Sequence, residues 1–175
     1  SYVKFTQNDY APQKIQEKAL SFIEDNKDSP FFMYYASPLP HLPLQAPKAD
    51  VDKYIKILGE EEPYLGNDSY FPNRYPRATY AAMITYLDRQ LGELIKKLKE
   101  KGIYENTVII FSSDNGPTYL GGVDYDYFES SKPFSNGYGR TKGFVYEGGI
   151  RVPLIVSWPN HIKPGTSSEH ISAFY

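Results

Sequence analysis

The stretch that most constrains this chain is Thr107-Val108-Ile109-Ile110-Phe111-Ser112-Ser113-Asp114-Asn115-Gly116. Its first half is a continuous apolar, β-branched run, the pattern of a strand buried on both faces of a parallel sheet. Its second half breaks at once into small polar residues and the acid–amide pair Asp114-Asn115. Ligands of an open α/β sheet sit just beyond the carboxyl ends of its strands, where side chains leave a rigid element for solvent. A carboxylate and a side-chain amide at that point offer two hard oxygen donors of the kind Ca²⁺ or Mg²⁺ takes. An Asn-Gly turn carrying a solvated aspartate accounts for the same letters. The rest of the chain has to separate the two.

At 175 residues the chain can hold one domain with a sizeable core. A formal net charge of -2 argues against a nucleic-acid binder and against a basic membrane-surface protein. The absence of cysteine excludes disulfides, thiolate metal sites and a cysteine nucleophile within these residues. No apolar run is long enough to span a membrane, and the sequence does not open on a signal peptide. Seventeen tyrosines suit surfaces that stack against sugars, and serve equally as packing.

In chain order, the spacing of Ile15, Ala19, Phe22 and Ile23 predicts a helix over Pro12–Asn26. A turn at Asn26–Pro30 leads to a second buried-strand candidate, Phe31–Ala36. That run ends in Ser37-Pro38-Leu39-Pro40-His41-Leu42-Pro43, whose prolines can hold His41 in a fixed place. A short helix is expected over Lys48–Leu58, then surface loop from Gly59 to Pro76. The strongest helix follows, with Tyr80, Met83, Ile84, Leu87, Leu91, Leu94, Ile95 and Leu98 on one face and a stop at Gly102. Strand–helix–helix–strand implies a parallel α/β architecture. Gly116–Gly149 has no period and is of the length that functional loops reach. Val152–Trp158 reads as a third strand, which Pro153 confines to an edge or to a late start.

His41 thus follows one strand, Asp114 and Asn115 another, and Lys142 lies on the long loop before the third. A lone loop histidine or lysine is ordinarily just surface. Together, an oxygen-ligand cation site, a histidine and a lysine suit an anionic tetrahedral group, its oxygens on the metal and a point charge from the lysine. Spacing alone therefore points to a metal-assisted sulfo- or phosphoester site.

Pro40-His41, Ser113-Asp114-Asn115-Gly116, Lys142-Gly143 and Glu147-Gly148-Gly149-Ile150-Arg151-Val152-Pro153 occur in an order and spacing that resembles the arylsulfatase-like sulfatases of the alkaline phosphatase superfamily. Pro30–Tyr35, Tyr86-Leu87-Asp88 and Trp158-Pro159 extend the resemblance over nearly the whole chain. It implies a three-layer αβα sandwich with a mostly parallel sheet, incomplete at both ends. Residues 1–175 would be the middle portion of the catalytic domain, the N-terminal nucleophile-bearing part and C-terminal subdomain being absent. By the same resemblance, Asp114 and Asn115 are two ligands of a Ca²⁺ ion, Lys142 contacts the sulfate, and His41 reaches the sulfate or the leaving oxygen. Glu147, Gly148, Gly149 and Arg151 would brace the loop, paired glycines mainly permitting tight backbone turns. Arg140, two residues before Lys142, stays outside this set because the family places its arginine variably.

The departures bound the reading. The family's nucleophile is a formylglycine made from Cys or Ser in a Cys/Ser-x-Pro-x-Arg motif, and the nearest string here, Tyr70-Phe71-Pro72-Asn73-Arg74, offers only a tyrosine. The nucleophile is expected in the missing N-terminal part, with the paired aspartates that complete the calcium site. The sequence closes at His170–Tyr175, where a further helix would begin. The expected substrate is a sulfated carbohydrate or aryl sulfate and the expected location periplasmic or secreted, with no nucleic acid and no membrane span. A non-catalytic carbohydrate-binding or structural module, and a phosphoester or phosphonate hydrolase of the same superfamily, are the alternatives.

Overall fold

A computed structural model describes residues 9–172. Three helices make its frame: α1 (Ala11–Asn26), α2 (Lys48–Leu58) and α3 (Pro76–Glu100). Pro12 opens α1 in the first turn, where its missing N–H costs nothing. Pro12, Gln16, Ala19 and Ile23 then form its buried stripe. The long helix α3 begins a full turn earlier than its apolar pattern suggests. A side chain from the preceding loop explains the early start: the Glu61 carboxylate accepts from the backbone N–H groups of Arg77 (2.7 Å) and Ala78 (3.0 Å). These are orphan donors of a first turn, where negative charge is also favoured. The earlier start rotates the upper buried face to Ala78, Thr79, Ala82 and Met83, and leaves Ile84 43% exposed.

Two apolar clusters result. Ala19, Ile23, Leu94 and Leu98 join α1 to the lower half of α3. Leu39, Leu42 and Leu44 of the proline loop pack with Tyr80, Met83 and Val123 against its upper half. Between the clusters runs a buried polar seam, which sequence spacing did not suggest. Gln16 Nε2 donates to Gln90 O (2.9 Å), Gln90 Nε2 donates to Pro12 O (2.8 Å), and Tyr35 Oη donates to Gln16 Oε1 (3.0 Å). Helix α2 is tied to α3 by the Arg89 fork on Asp50, both bonds 2.8 Å, which holds that carboxyl below its ordinary range. Lys97 and Lys101 together pull the Glu24 carboxyl down to about 2. That α1–α3 ion cluster is therefore intact above the usual carboxylate range and is lost only as pH falls towards 2.

The strands depart from expectation. β1 (Ile109–Ser112) and β2 (Leu154–Ser157) form a two-stranded antiparallel sheet, pairing Ile109 with Ser157 and Ser112 with Leu154. Between them lie only loop and two single-turn helices, α4 (Tyr125–Phe128) and α5 (Glu147–Ile150). A parallel return needs a crossover of a dozen or more residues, usually helical, so a chain that comes back through loop pairs antiparallel. β2 starts late, after Pro153, and in this two-stranded sheet it is also an edge, so both of the proline's expected restrictions hold. Phe31–Ala36, expected as a buried strand, is extended but has no ladder partner among the described residues.

Its side chains still alternate as a strand's do. Phe31, Met33 and Tyr35 join Ile109 against α1 and α3, while Phe32 and Tyr34 are 87% and 82% exposed. On β1 and β2, Ile110 and Leu154 are likewise exposed. The helices thus cover one face of the Phe31–Ala36 run and of β1, whereas on β2 Leu154, Ile155 and Val156 are exposed on both faces.

Candidate active site

The end of β1 is joined to β2 and to the turn carrying Lys142 by backbone and hydroxyl bonds. Ser112 Oγ donates to Pro153 O (2.9 Å). Gly116 N–H donates to Gly149 O (2.9 Å), and Lys142 N–H donates to Pro117 O (3.0 Å). Two stretches remote in sequence are thereby held side by side, one bearing Asp114-Asn115 and the other Lys142.

Small residues make this approach possible. A Cβ on Gly116 would lie 1.9 Å from Gly148 O, and one on Gly149 would lie 2.1 Å from Phe144 O. Arg151 Nε pairs with Glu147 across α5 at 2.8 Å. The Glu-Gly-Gly-Ile-Arg run therefore braces the loop, as its residue types suggested. Gly149→Ala should cost about 1–3 kcal/mol of stability through overpacking against backbone that has nowhere to move. Gly92→Ala, on the exposed face of α3 with no atom within 4 Å of the new carbon, should be neutral or stabilising. Thermal midpoints of the two variants, measured side by side, check the contrast.

Asp114 is exposed and makes no side-chain hydrogen bond or ion pair among the described residues. Asn115 Nδ2 donates to Gly116 O at 2.8 Å, so its donor end is committed and its Oδ1 remains as an acceptor. Both offer the hard oxygen chemistry calcium takes, but calcium takes about six to eight such ligands. Among the described residues no group of three or more His, Asp or Glu side chains is placed to hold a metal. The pair fits as part of a calcium site and falls short of a whole one.

His41 stands on a loop fixed by its neighbours. Leu39 and Leu42 are buried on either side of it, and His41 N–H donates to Pro38 O (2.8 Å). Leu42 packs so closely on Gly121 that a Cβ there would be 2.4 Å from its Cδ1, which joins the histidine loop to the chain just after Asn115. His41 Nδ1 lies 2.8 Å from Leu42 O. A carbonyl only accepts, so Nδ1 carries a hydrogen, and Nε2 has no partner among the described residues.

Lys142 forms no ion pair among the described residues, and neither does Arg140, whose guanidinium lies 4.2 Å over the Tyr146 ring. Arg140 lies two residues before Lys142 and is likewise without a carboxylate partner among the described residues. An open groove lies elsewhere, lined by Glu61, Tyr64, Arg74, Arg77 and Asp124 among others. Its arginines are already paired, Arg74 with Glu60 and Arg77 with Asp124. It presents no free cation to an anion.

A family model described as Sulfatase matches residues 2–175. The chain belongs to the sulfatase family. This sulfatase chain is 31% identical over 148 residues to human arylsulfatase A, covering 84% of this chain and 24% of that protein. It is 31% identical over 157 residues to the N-acetylgalactosamine-6-O-sulfatase of Bacteroides thetaiotaomicron, covering 86% of this chain and 26% of that protein. Its backbone follows the solved structure of Ps i-CgsB in complex with k-i-k-neocarrahexaose, with a TM-score of 0.66 and 31% identity, over 90% of this chain and 30% of that one. The sulfatase chain thus spans about a quarter of the length of the curated relatives it matches. No helix among its described residues is long and apolar enough to cross a membrane.

Proposed function

We propose that this chain is the metal- and sulfate-facing part of a sulfatase that hydrolyses sulfate esters, with sulfated glycans as the substrate class. One observation carries the reading: the Gly116–Gly149 and Pro117–Lys142 backbone bonds, which tie an oxygen-donor pair to an unpaired lysine. In the complete enzyme Asp114 and Asn115 would hold Ca²⁺, which when bound supplies positive charge to the sulfate oxygens. Lys142 adds a second positive charge from the protein itself. His41, its ring fixed through Nδ1–H on Leu42 O, would act on the sulfate or the leaving oxygen as a donor, from Nε2–H of the protonated imidazolium.

The formylglycine nucleophile is expected N-terminal to these residues. There, β1 and the extended Phe31–Ala36 run would join a mostly parallel sheet in a three-layer αβα sandwich. The glycan assignment is supported by a relative named as an N-acetylgalactosamine-6-O-sulfatase. A periplasmic or secreted location is part of the same proposal. The test is a comparison of matched sulfate and phosphate esters of N-acetylgalactosamine in the complete enzyme. Faster release of phosphate than of sulfate would move the reading to a phosphoester hydrolase.

Calcium binding by these residues alone should be weak, because two donors leave most of the coordination sphere to water. Isothermal titration is expected to give no heat at micromolar calcium. Micromolar binding that vanishes with Asp114→Ala would mean that the donor set is larger than Asp114 and Asn115.

A further inference from the structure

Tyr138 is held upright without being buried. It is 77% exposed, yet Tyr119 meets it edge-on at 5.4 Å and 87°, and Phe144 at 5.4 Å and 72°. Tyr119 and Phe144 lie 6.2 Å apart, so the three rings close a cluster. Tyr138 is flanked by Gly137 at φ +85° and Gly139 at φ +79°, left-handed backbone on both sides that turns the residue out of the loop. Gly137 O accepts from Arg140 N–H (3.2 Å) and from Thr141 Oγ1 (3.1 Å), and Thr141 is fully buried. The turn is therefore pre-formed, which lowers the entropy lost when a ligand docks on it. The same turn delivers Arg140 and Lys142, both free of carboxylate partners among the described residues.

An exposed aromatic ring on the same turn as two cations without carboxylate partners matches one ligand chemistry well. A sugar ring has a face of C–H groups that packs on an aromatic surface, and a sulfate ester on it supplies the anion. We infer that Tyr138, seated on Tyr119 and Phe144, is a stacking platform for a sugar ring of a sulfated oligosaccharide whose sulfate faces Lys142 and Arg140. The platform rests on the sulfatase reading for the sulfate, and on the ring cluster alone for the sugar. Tyr138 is a specificity-determining residue that holds the sugar and takes no part in bond making.

The test titrates a chondroitin 6-sulfate tetrasaccharide, and its chemically desulfated form, into the chain and into Tyr138→Ala, Tyr138→Phe and Lys142→Ala. Tyr138→Ala should weaken both ligands by about fivefold to tenfold, the scale of one aromatic contact. Tyr138→Phe should keep the affinity, and Lys142→Ala should lower the preference for the sulfated form. Equal affinity in wild type and Tyr138→Ala, or no binding by wild-type chain that is folded by circular dichroism, overturns the platform. The complete enzyme separates this from the parent reading. Sulfate release with an unchanged KM in Tyr138→Ala removes the platform and leaves the sulfatase. Tyr138-dependent binding without sulfate release removes the sulfatase and leaves a sugar-binding surface.

Discussion

A protein made of these 175 residues alone is expected to release no sulfate from an aryl sulfate, with or without added calcium. Sulfate ester hydrolysis of the family's kind needs a nucleophile that attacks sulfur and can later let the sulfate go. There is no cysteine, and no serine stands in a Cys/Ser-x-Pro-x-Arg motif. The proposed metal site is incomplete as well: among the described residues no group of three or more His, Asp or Glu side chains is placed to hold a metal ion. His41 and Lys142 could still orient an anion, but orientation without a nucleophile leaves most of the barrier standing. The assay is arylsulfate turnover by the purified chain, and again after mixing with the N-terminal half of the enzyme. Turnover by the chain alone that is abolished by Asp114→Ala would show that a nucleophile among these residues has been overlooked.

Helices were the legible part of the fold, because their apolar spacing survives in any context that buries one face. Lys48–Leu58 is a helix over the residues expected, and α1 differs by one residue at its start. The strands were legible as extended segments but not as a sheet. A run such as Val108-Ile109-Ile110-Phe111 announces burial on two faces, yet pairing depends on what lies beside it. Here Ile110 is 66% exposed and Phe31–Ala36 has no ladder among the described residues. Sequence also could not place Glu61 at the start of α3, or foresee the Gln16–Gln90 seam, since both join residues far apart in the chain. At the candidate site, motif order singled out individual residues, whereas the backbone contacts that join their loops were not legible. Gly116 meeting Gly149 is a backbone contact, and a glycine in the sequence does not name the carbonyl it makes room for. The Gly137-Tyr138-Gly139 string was the one available signal for the ring cluster: paired glycines around an aromatic residue turn it outward.

In the complete enzyme, Lys142→Ala should lower kcat/KM for a sulfate ester by about 100-fold to 1,000-fold, the cost of removing one group aimed at developing negative charge. Its thermal midpoint should barely move, because the Lys142 side chain makes no hydrogen bond or ion pair among the described residues. Only its backbone N–H, which alanine keeps, holds the turn to Pro117. His41→Ala should fall by a comparable factor for a different reason. The imidazole is locked through Nδ1–H to Leu42 O, and Leu39 and Leu42 anchor the loop whichever residue stands between them. The fold should therefore tolerate the change while the group at Nε2 disappears. Proton transfer through that nitrogen would show as the loss of one limb of the kcat profile against pH, whereas Lys142→Ala would lower the profile without reshaping it. Two variants with unchanged kcat/KM would take both residues out of the site. A fall in activity matched by a fall in thermal midpoint would assign them to the scaffold.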